Sequence, residues 1–412
     1  MSSGNGLQME VHDGVDRVDA GRWNALRDAD NPWTDLAFLK ATEDAHVVEC
    51  APRYFEFRDD GRAICTMSGG VLVNDMVMFA DNALKHLVAV VRRLFPSYLK
   101  RTMLEIGPLL GLGTSISHVP GMSPERWRDI ARMITGYARE HRIDLVVLRD
   151  FSGRRHPIED ALGRSGFRAF FNLPLATMNI AWDSFDDYLM ALRKPVRNNI
   201  RRKIKRKEAH GIRTVFTDDG LEHLERCLEL YENVRRRSSR FNRDALSADY
   251  FRSMVAHFRR HSLLLEYFRG DTLVAFAHLV RYRKQVIAQY VGMDYDVSRR
   301  AALYFNSYYD MLRLALDEGL ECVEAGITTY EPKSALGFSV IPQVMYVWMP
   351  SASLLNAAAV LWHRTASYGV EKCHYAFKGR KPQELWDGRT RQAPAREGAG
   401  DGRRTGGPGV GV

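Results

Sequence analysis

Cysteine is scarce. Five residues, at positions 50, 65, 227, 322 and 373, are spread over a chain of 412, and no two form a CxxC pair. An odd, scattered set argues against a disulfide framework and against a cysteine zinc site. It suits a reducing, cytoplasmic compartment. The polar, acidic opening MSSGNGLQMEVHDGVD has no signal-peptide pattern. The longest apolar stretches, near 84–94 and 354–362, are broken by Lys, Arg, His or Asn and fall short of the ~20 apolar residues of a membrane span. No integral membrane association is therefore expected. The GxxxxGK[ST], GxGxxG, HExxH and GxSxG motifs are missing. The thirteen histidines are scattered, so no metal site is expected.

What is present in excess is positive charge, and it is local. The formal charge is +9, from 59 Lys+Arg against 50 Asp+Glu. The run RKPVRNNIRRKIKRK (Arg193–Lys207) holds nine basic residues and no acid, so the rest of the chain is balanced. This describes a neutral globular protein with one anion-attracting element. Pro195 suits the first turn of a helix over 195–210. Val196, Ile200 and Ile204 make a thin apolar stripe on it. Arg197, Arg201 and Lys205 make a second stripe, Arg202 and Arg206 a third, Lys203 and Lys207 a fourth. Like charges four apart repel by a few tenths of a kcal/mol per pair. An anionic partner is expected: CoA phosphates, a nucleotide sugar, tRNA or an acidic lipid surface.

The pattern elsewhere alternates strands and helices. A hairpin is predicted at Ala63–Ser68 and Val71–Phe79, a helix at Ala83–Lys100, and a strand at Thr102–Ile106 leading into the glycines of Gly107–Gly113. Helix Pro124–His141, strand Leu145–Arg149, a short helix near Ile158–Arg164 and strand Phe167–Ile180 follow. Ser184 and Asp187 read as a capping box. After the basic helix come strand Thr214–Phe216, helices near Leu221–Arg237 and Ala248–Arg260, and strands Leu263–Arg269, Thr272–Tyr282 and Gln285–Met293. Helix Ala301–Glu318, strands Cys322–Gly326 and Gln343–Met349, and a helix at Ser353–Ser367 complete the pattern. From Gly388 the composition predicts disorder. A helix, a strand, an LG(RSG)F string and a strand occur twice, around Leu162–Phe167 and around Leu336–Phe338. Two copies of one domain are the natural explanation.

Several segments carry a family likeness in the right order. FDDYLMALRKPVRNNIRRKIKRKEAHGI (Phe185–Ile212) resembles the start of the catalytic half of Fem-type and related GNAT-like acyltransferases. GDTLVAFAHLVRYRKQVIAQYVGMDYD resembles their hairpin and central strand. EGLECVEAG closes a similar helix, EPKSALGF (Glu331–Phe338) matches an E-x-K-x-x-x-G-F element, and NPWTDLAFLKATED (Asn31–Asp44) resembles the start of the first domain. The resemblance implies an α/β (α+β) fold of two tandem GNAT-like domains, mixed central sheets flanked by helices. The expected division is 1–182 for the N-terminal domain, 183–387 for a catalytic C-terminal domain opened by the basic helix, and 388–412 for the tail.

The resemblance further implies transfer of an acyl or aminoacyl group from acyl-CoA or aminoacyl-tRNA, as cosubstrate rather than bound cofactor, to an amine acceptor. Cell-wall precursors and peptide-like metabolites are the expected settings. The donor would enter between the strands Gln285–Met293 and Cys322–Gly326. A backbone N–H of the first would steady the oxyanion. Lys333 would steady the tetrahedral intermediate, Glu331 would position the amine or act as base, and Tyr290 would protonate the leaving group. Arg197, Arg201, Arg202 and Lys205 would hold phosphates, joined by Arg299 and Arg300 from SRRAAL (Ser298–Leu303). That turn has no glycine, where acetyl-CoA enzymes of this fold have a Gly-rich one, which keeps aminoacyl-tRNA open as the donor. The competing class is a non-catalytic RNA- or polyanion-binding protein using the helix 195–210. No aromatics interleave with the basic run, as stacking on RNA requires. DNA is not an expected partner.

Overall fold

A computed structural model describes residues 6–75, 77, 82–152, 156–237 and 244–350. The first half holds β1 (Leu7–His12), α1 (Ala20–Leu26), α2 (Leu36–Asp44), β2 (Ala51–Asp59), β3 (Arg62–Asp75), α3 (Asn82–Val91), β4 (Lys100–Ile106), β5 (Ile116–His118), α4 (Pro124–Glu140), β6 (Leu145–Ser152), α5 (Ile158–Arg164) and β7 (Arg168–Asn179). The second holds α6 (Phe185–Ala191), α7 (Lys194–Ala209), β8 (Ile212–Thr217), α8 (Leu224–Arg237), α9 (Ala248–Phe258), β9 (Ser262–Arg269), β10 (Thr272–Tyr282), β11 (Gln285–Met293), α10 (Tyr295–Ala301), α11 (Leu303–Asp317), β12 (Cys322–Glu324), α12 (Tyr330–Ser334) and β13 (Ser339–Trp348).

The two halves repeat one plan, an antiparallel run of strands ending in a parallel pair. The parallel pairs are β4 with β6 and β11 with β12. The sheets of the two halves are continuous. They form one sheet in the order β1-β2-β3-β4-β6-β13-β7-β12-β11-β10-β9-β8, with β5 on β3. Each half gives its last strand to the other: β13 lies between β6 and β7, and β7 lies between β13 and β12. Helix packing adds a second join. Phe38 on α2 meets Phe258 on α9 edge to face at 5.4 Å, and Tyr282 donates to Asp35.

Alternation along the strands of the second half separates its two faces. Val286 and Val323 lie in the core under α6, α7 and α11, with Ile200 of the basic helix. Ile287 and Tyr290 lie in the opposite core, under α2, α8 and α9. A third core in the first half gathers Trp127, Ile130, Ala131, Ile134 and Ala138 of α4. Ser123 caps that helix by accepting from Arg126 N–H.

Three sequence expectations change. The expected hairpin turn at Gly69–Gly70 is the middle of β3, whose hairpin partner is β2. A Cβ on Gly69 would lie 2.0 Å from the Glu105 carbonyl oxygen, so this glycine serves close strand approach rather than turning. The helix expected at Ala301–Glu318 is α11 (Leu303–Asp317), and a further helix not expected there, α10, precedes it and is ended by Ala302 in left-handed conformation (φ 55°). The helix expected over Ala83–Lys100 ends at Val91. The predicted Ser353–Ser367 helix and the 388–412 tail lie outside the described residues.

Candidate active site at the second strand splay

The basic helix α7 divides its cations between two tasks. Val196, Ile200 and Ile204 face the core as their spacing predicts. Lys207 does as well: it is 8% exposed, and its ammonium donates to Asp310 at 2.8 Å and Thr214 at 3.0 Å. Tyr267 and Arg313 donate to the same carboxylate. Lys203 sits with Nζ 3.0 Å from the Phe305 ring centroid. Burial, with Arg202 and Arg206 beside it, brings its ammonium pKa down to about 8. Lys203 and Lys207 are thus anchors rather than a solvated stripe. Arg206 donates to the carbonyls of Arg300 (2.8 Å) and Arg299 (2.6 Å), tying α7 to the end of α10. Arg299 and Arg300 side chains are exposed there. Arg197 folds back towards the carbonyls of Leu189 and Leu192 that end α6. Arg201, Arg202 and Lys205 stay exposed and line, with Phe185, Leu189 and Arg313, an open groove of about 820 Å³. The structure brings these three together and leaves Arg197 outside the groove lining.

On the sheet, β11 and β12 stay in parallel register for three residue pairs, ending at Ile287 and Glu324. Their pairing ends there, while the chain runs on along β7: Ala325 N–H donates to Ala176 at 2.8 Å, and Gly326 accepts from Ala176 N–H at 3.1 Å. Opposite β10, Ala288 pairs with Leu279 and Tyr290 with His278, which leaves Gln289 as the extra residue of a bulge. A bulge re-aims backbone groups and is frequent beside active sites. The loop that follows the splay carries Gly326, Thr328 and Thr329 at positive φ (68°, 66° and 52°). Positive φ is costly for a β-branched residue. Lys333, 2% exposed, meets this conformation with its ammonium, donating to the carbonyls of Gly326 (3.3 Å), Ile327 (3.0 Å) and Thr328 (2.8 Å). Glu331 is exposed in the first turn of α12.

Tyr290 lies on the face away from the basic helix. Its hydroxyl donates to Asp244 at 2.8 Å, and Tyr231 and Tyr250 pack edge-on at 5.9 and 5.3 Å. Burial and the Asp244 charge hold its phenol well above the ordinary range. Glu324 lies in this region too, 8% exposed, with Oε1 unpartnered. Burial, and then Asp150, push its carboxyl up to about 8.

The first half has the same splay, and it is filled. Beyond the pair Ile106 and Leu148, Arg149 turns into the gap. Its guanidinium pairs with Glu105 at 2.8 Å and with Asp150, and donates to the carbonyls of Pro108 and Gly111. Glu105 and Asp150 are both about fully buried (2% and 1% exposed), so the plug is an internal ion-pair network. The glycine-rich loop 107–113 packs on Trp33, where a Cβ on Gly111 would come within 2.6 Å of the indole. Leu112 of that loop reaches the second splay, near Gly326. One splay is closed by its own side chains; the other carries a strained loop, a bulge and a buried carboxyl.

Sequence reasoning singled out the basic run and the E-x-K element. It missed Glu324, Asp150 and Arg149. A single carboxylate inside a strand reads as an ordinary polar alternation. Its signal lies in the strand pairing, which joins residues about 150 positions apart. No group of three or more metal-ligating side chains occurs among the described residues.

The site thus combines a parallel strand pair that ends beside a bulge with a cationic helix on one face. Residues 194–334 match the family model described as acetyltransferase (GNAT) domain. Over that segment the chain is similar to GNAT acetyltransferase domains, and it shares its overall fold with FemX. The structure of FemX is similar at 12% identity, over 86% of this chain and 100% of that one, with a TM-score of 0.54. The C-terminal domain (DUF2156) of a lysylphosphatidylglycerol synthetase from Agrobacterium fabrum is similar at 13% identity, over 83% and 94%, with a TM-score of 0.50. In sequence, the chain is 24% identical over 263 residues to a Mycobacterium tuberculosis protein described as 8-amino-7-oxononanoate synthase 2. That match covers 62% of this chain, which spans about a third (34%) of the relative's length.

Proposed function

We propose that the protein transfers an acyl or aminoacyl group from a phosphate-bearing donor to an amine. Residues 183–387 carry the chemistry, and 1–182 complete the sheet and the far wall of the site. One observation carries this reading: the point where the pairing of β11 and β12 ends falls inside the matched GNAT segment, with the basic helix on one face and buried carboxyls on the other. A donor that enters through the splay leaves its phosphates on the side of Arg201, Arg202 and Lys205. Its acyl carbon meets the acceptor on the side of Tyr290 and Glu324. Backbone N–H groups of the bulged β11 are the natural donors to the developing oxyanion, because they are fixed before the charge appears. Lys333 acts as a positioning residue, holding the loop that borders the splay.

The Fem-like fold supports an aminoacyl donor, and the GNAT match supports a CoA thioester. A screen of acyl-CoAs against aminoacyl-tRNAs, with simple amines as acceptors, separates them. Transfer from either class supports the proposal. Binding of RNA with no transfer from any donor would replace it with the polyanion-binding reading.

A further inference from the structure

Resting on that reading, we propose that Glu324 takes the proton from the attacking amine, working at the junction of the two halves opposite Asp150. Position comes first. Glu324 is the last residue of β12 in register with β11, so it stands where the strands part and a donor's acyl group would arrive. Its register partner Ile287 lies in the core under α2, α8 and α9, so the carboxyl projects to the face opposite the basic helix. Phosphates and proton acceptor are thereby kept on opposite sides of the sheet.

Availability comes second. The neighbouring carboxyls at this junction are occupied. Glu105 pairs with Arg149. Asp150 accepts from Asn172 at 2.5 Å, from Gly113 N–H at 3.3 Å, and pairs with Arg149. Asp244 accepts from Tyr290. Glu324, more than nine-tenths buried, keeps Oε1 without a partner. A buried polar atom left unpaired costs stability, so its retention calls for a use.

The chemistry balances as follows. The amine arrives as an ammonium and gives one proton to the Glu324 carboxylate. The neutral nitrogen attacks the acyl carbon and a C–N bond forms. The C–S bond of a thioester, or the C–O bond of an aminoacyl ester, breaks. The leaving sulfur or oxygen takes the second proton from nitrogen, and Glu324 releases its own to solvent. Burial and then Asp150 on β6 set its titration; Asp150 is itself paired with Arg149, and the Cys322 thiol on the same strand is pushed up by burial and by Glu324. Burial and Asp150 hold the carboxyl up to about 8, so the base form grows as pH rises through that value.

The test compares wild type, Glu324→Gln and Asp150→Asn with the donor that the screen accepts and an alkylamine acceptor. Glu324→Gln should lower kcat about 100-fold or more, with donor KM unchanged. Hydroxylamine, already neutral at pH 7, should restore much of that loss. The wild-type rate should rise with pH to an inflection near 8, and Asp150→Asn should move it lower. A variant within a few-fold of wild type, while wild type is active, would overturn the role of Glu324 and leave the transferase reading intact. Wild type inactive with every donor would instead overturn that reading, and this inference with it. Stability against pH supplies a readout independent of turnover. A carboxyl whose folded pKa is raised binds an extra proton in the folded state, so wild type should lose stability as pH climbs from about 5 to 8, and Glu324→Gln should not. Identical pH profiles for the two proteins would also overturn the proposal.

Discussion

Two lysines show how much a side chain's meaning depends on what lies opposite it. Lys333 stood out in sequence as a residue able to steady an intermediate. In the fold its ammonium spans three consecutive carbonyls of a loop with two threonines at positive φ. Its replacement by Met should cost about 2–3 kcal/mol in chemical denaturation, the scale of lost bonds to a buried charge. It should depress turnover through the loop. Unchanged stability with lost turnover would point instead to direct contact with the reacting group. Lys203 is the reverse case, an anonymous member of a basic run that proves half-buried on Phe305. Its ammonium is held down to about 8 by burial and two arginines. A lysine whose folded pKa is lowered sheds its proton sooner in the folded state, so the protein should gain stability as pH rises from about 8 to 10 in chemical denaturation. The Lys203→Met protein should lose that dependence.

Elements whose partners are near in sequence were legible; those whose partners are remote were less so. The basic helix announced itself through Pro195 and the four-residue spacing of Val196, Ile200 and Ile204. Helix α4 was visible through its Ser123 cap. Strand β3 was misread because two glycines in a row usually mark a turn, and their actual reason, the Glu105 backbone, comes some 35 residues later. The strands β1 and β2 do not stand out in the sequence, since β2 has Pro52 and charged residues among its aromatics. The candidate site was legible on its cationic face and hidden on its acidic one, because Asp150 and Glu324 meet only through the strand order. Gly69→Ala tests the corrected reading of β3. With 2.0 Å between the new Cβ and the Glu105 oxygen, it should destabilise the fold by about 3 kcal/mol, measurable as a shift in the denaturation midpoint. A true turn glycine with φ in the ordinary range would tolerate the methyl group.

At the scale of the whole molecule, the exchange of β7 and β13 makes neither half complete alone. A chain of residues 183–387 lacks the strand that covers the edge of β12, and a chain of 1–182 lacks the strand that joins β6 to β7. Each fragment should aggregate when expressed separately, and co-expression should recover a soluble pair with one unfolding transition in calorimetry. Two independent transitions would contradict the shared sheet. The exchange also imposes an order on biosynthesis. Domains generally fold from the N-terminus as they leave the ribosome. Here β6 and β7 wait with open edges until residues 339–348 have been made, some 160 residues after β7 itself. During that interval the exposed strands are open to pairing with other nascent chains. Slow elongation through the second half, or loss of chaperone capacity, should thus lower the yield of this protein more than its final stability suggests.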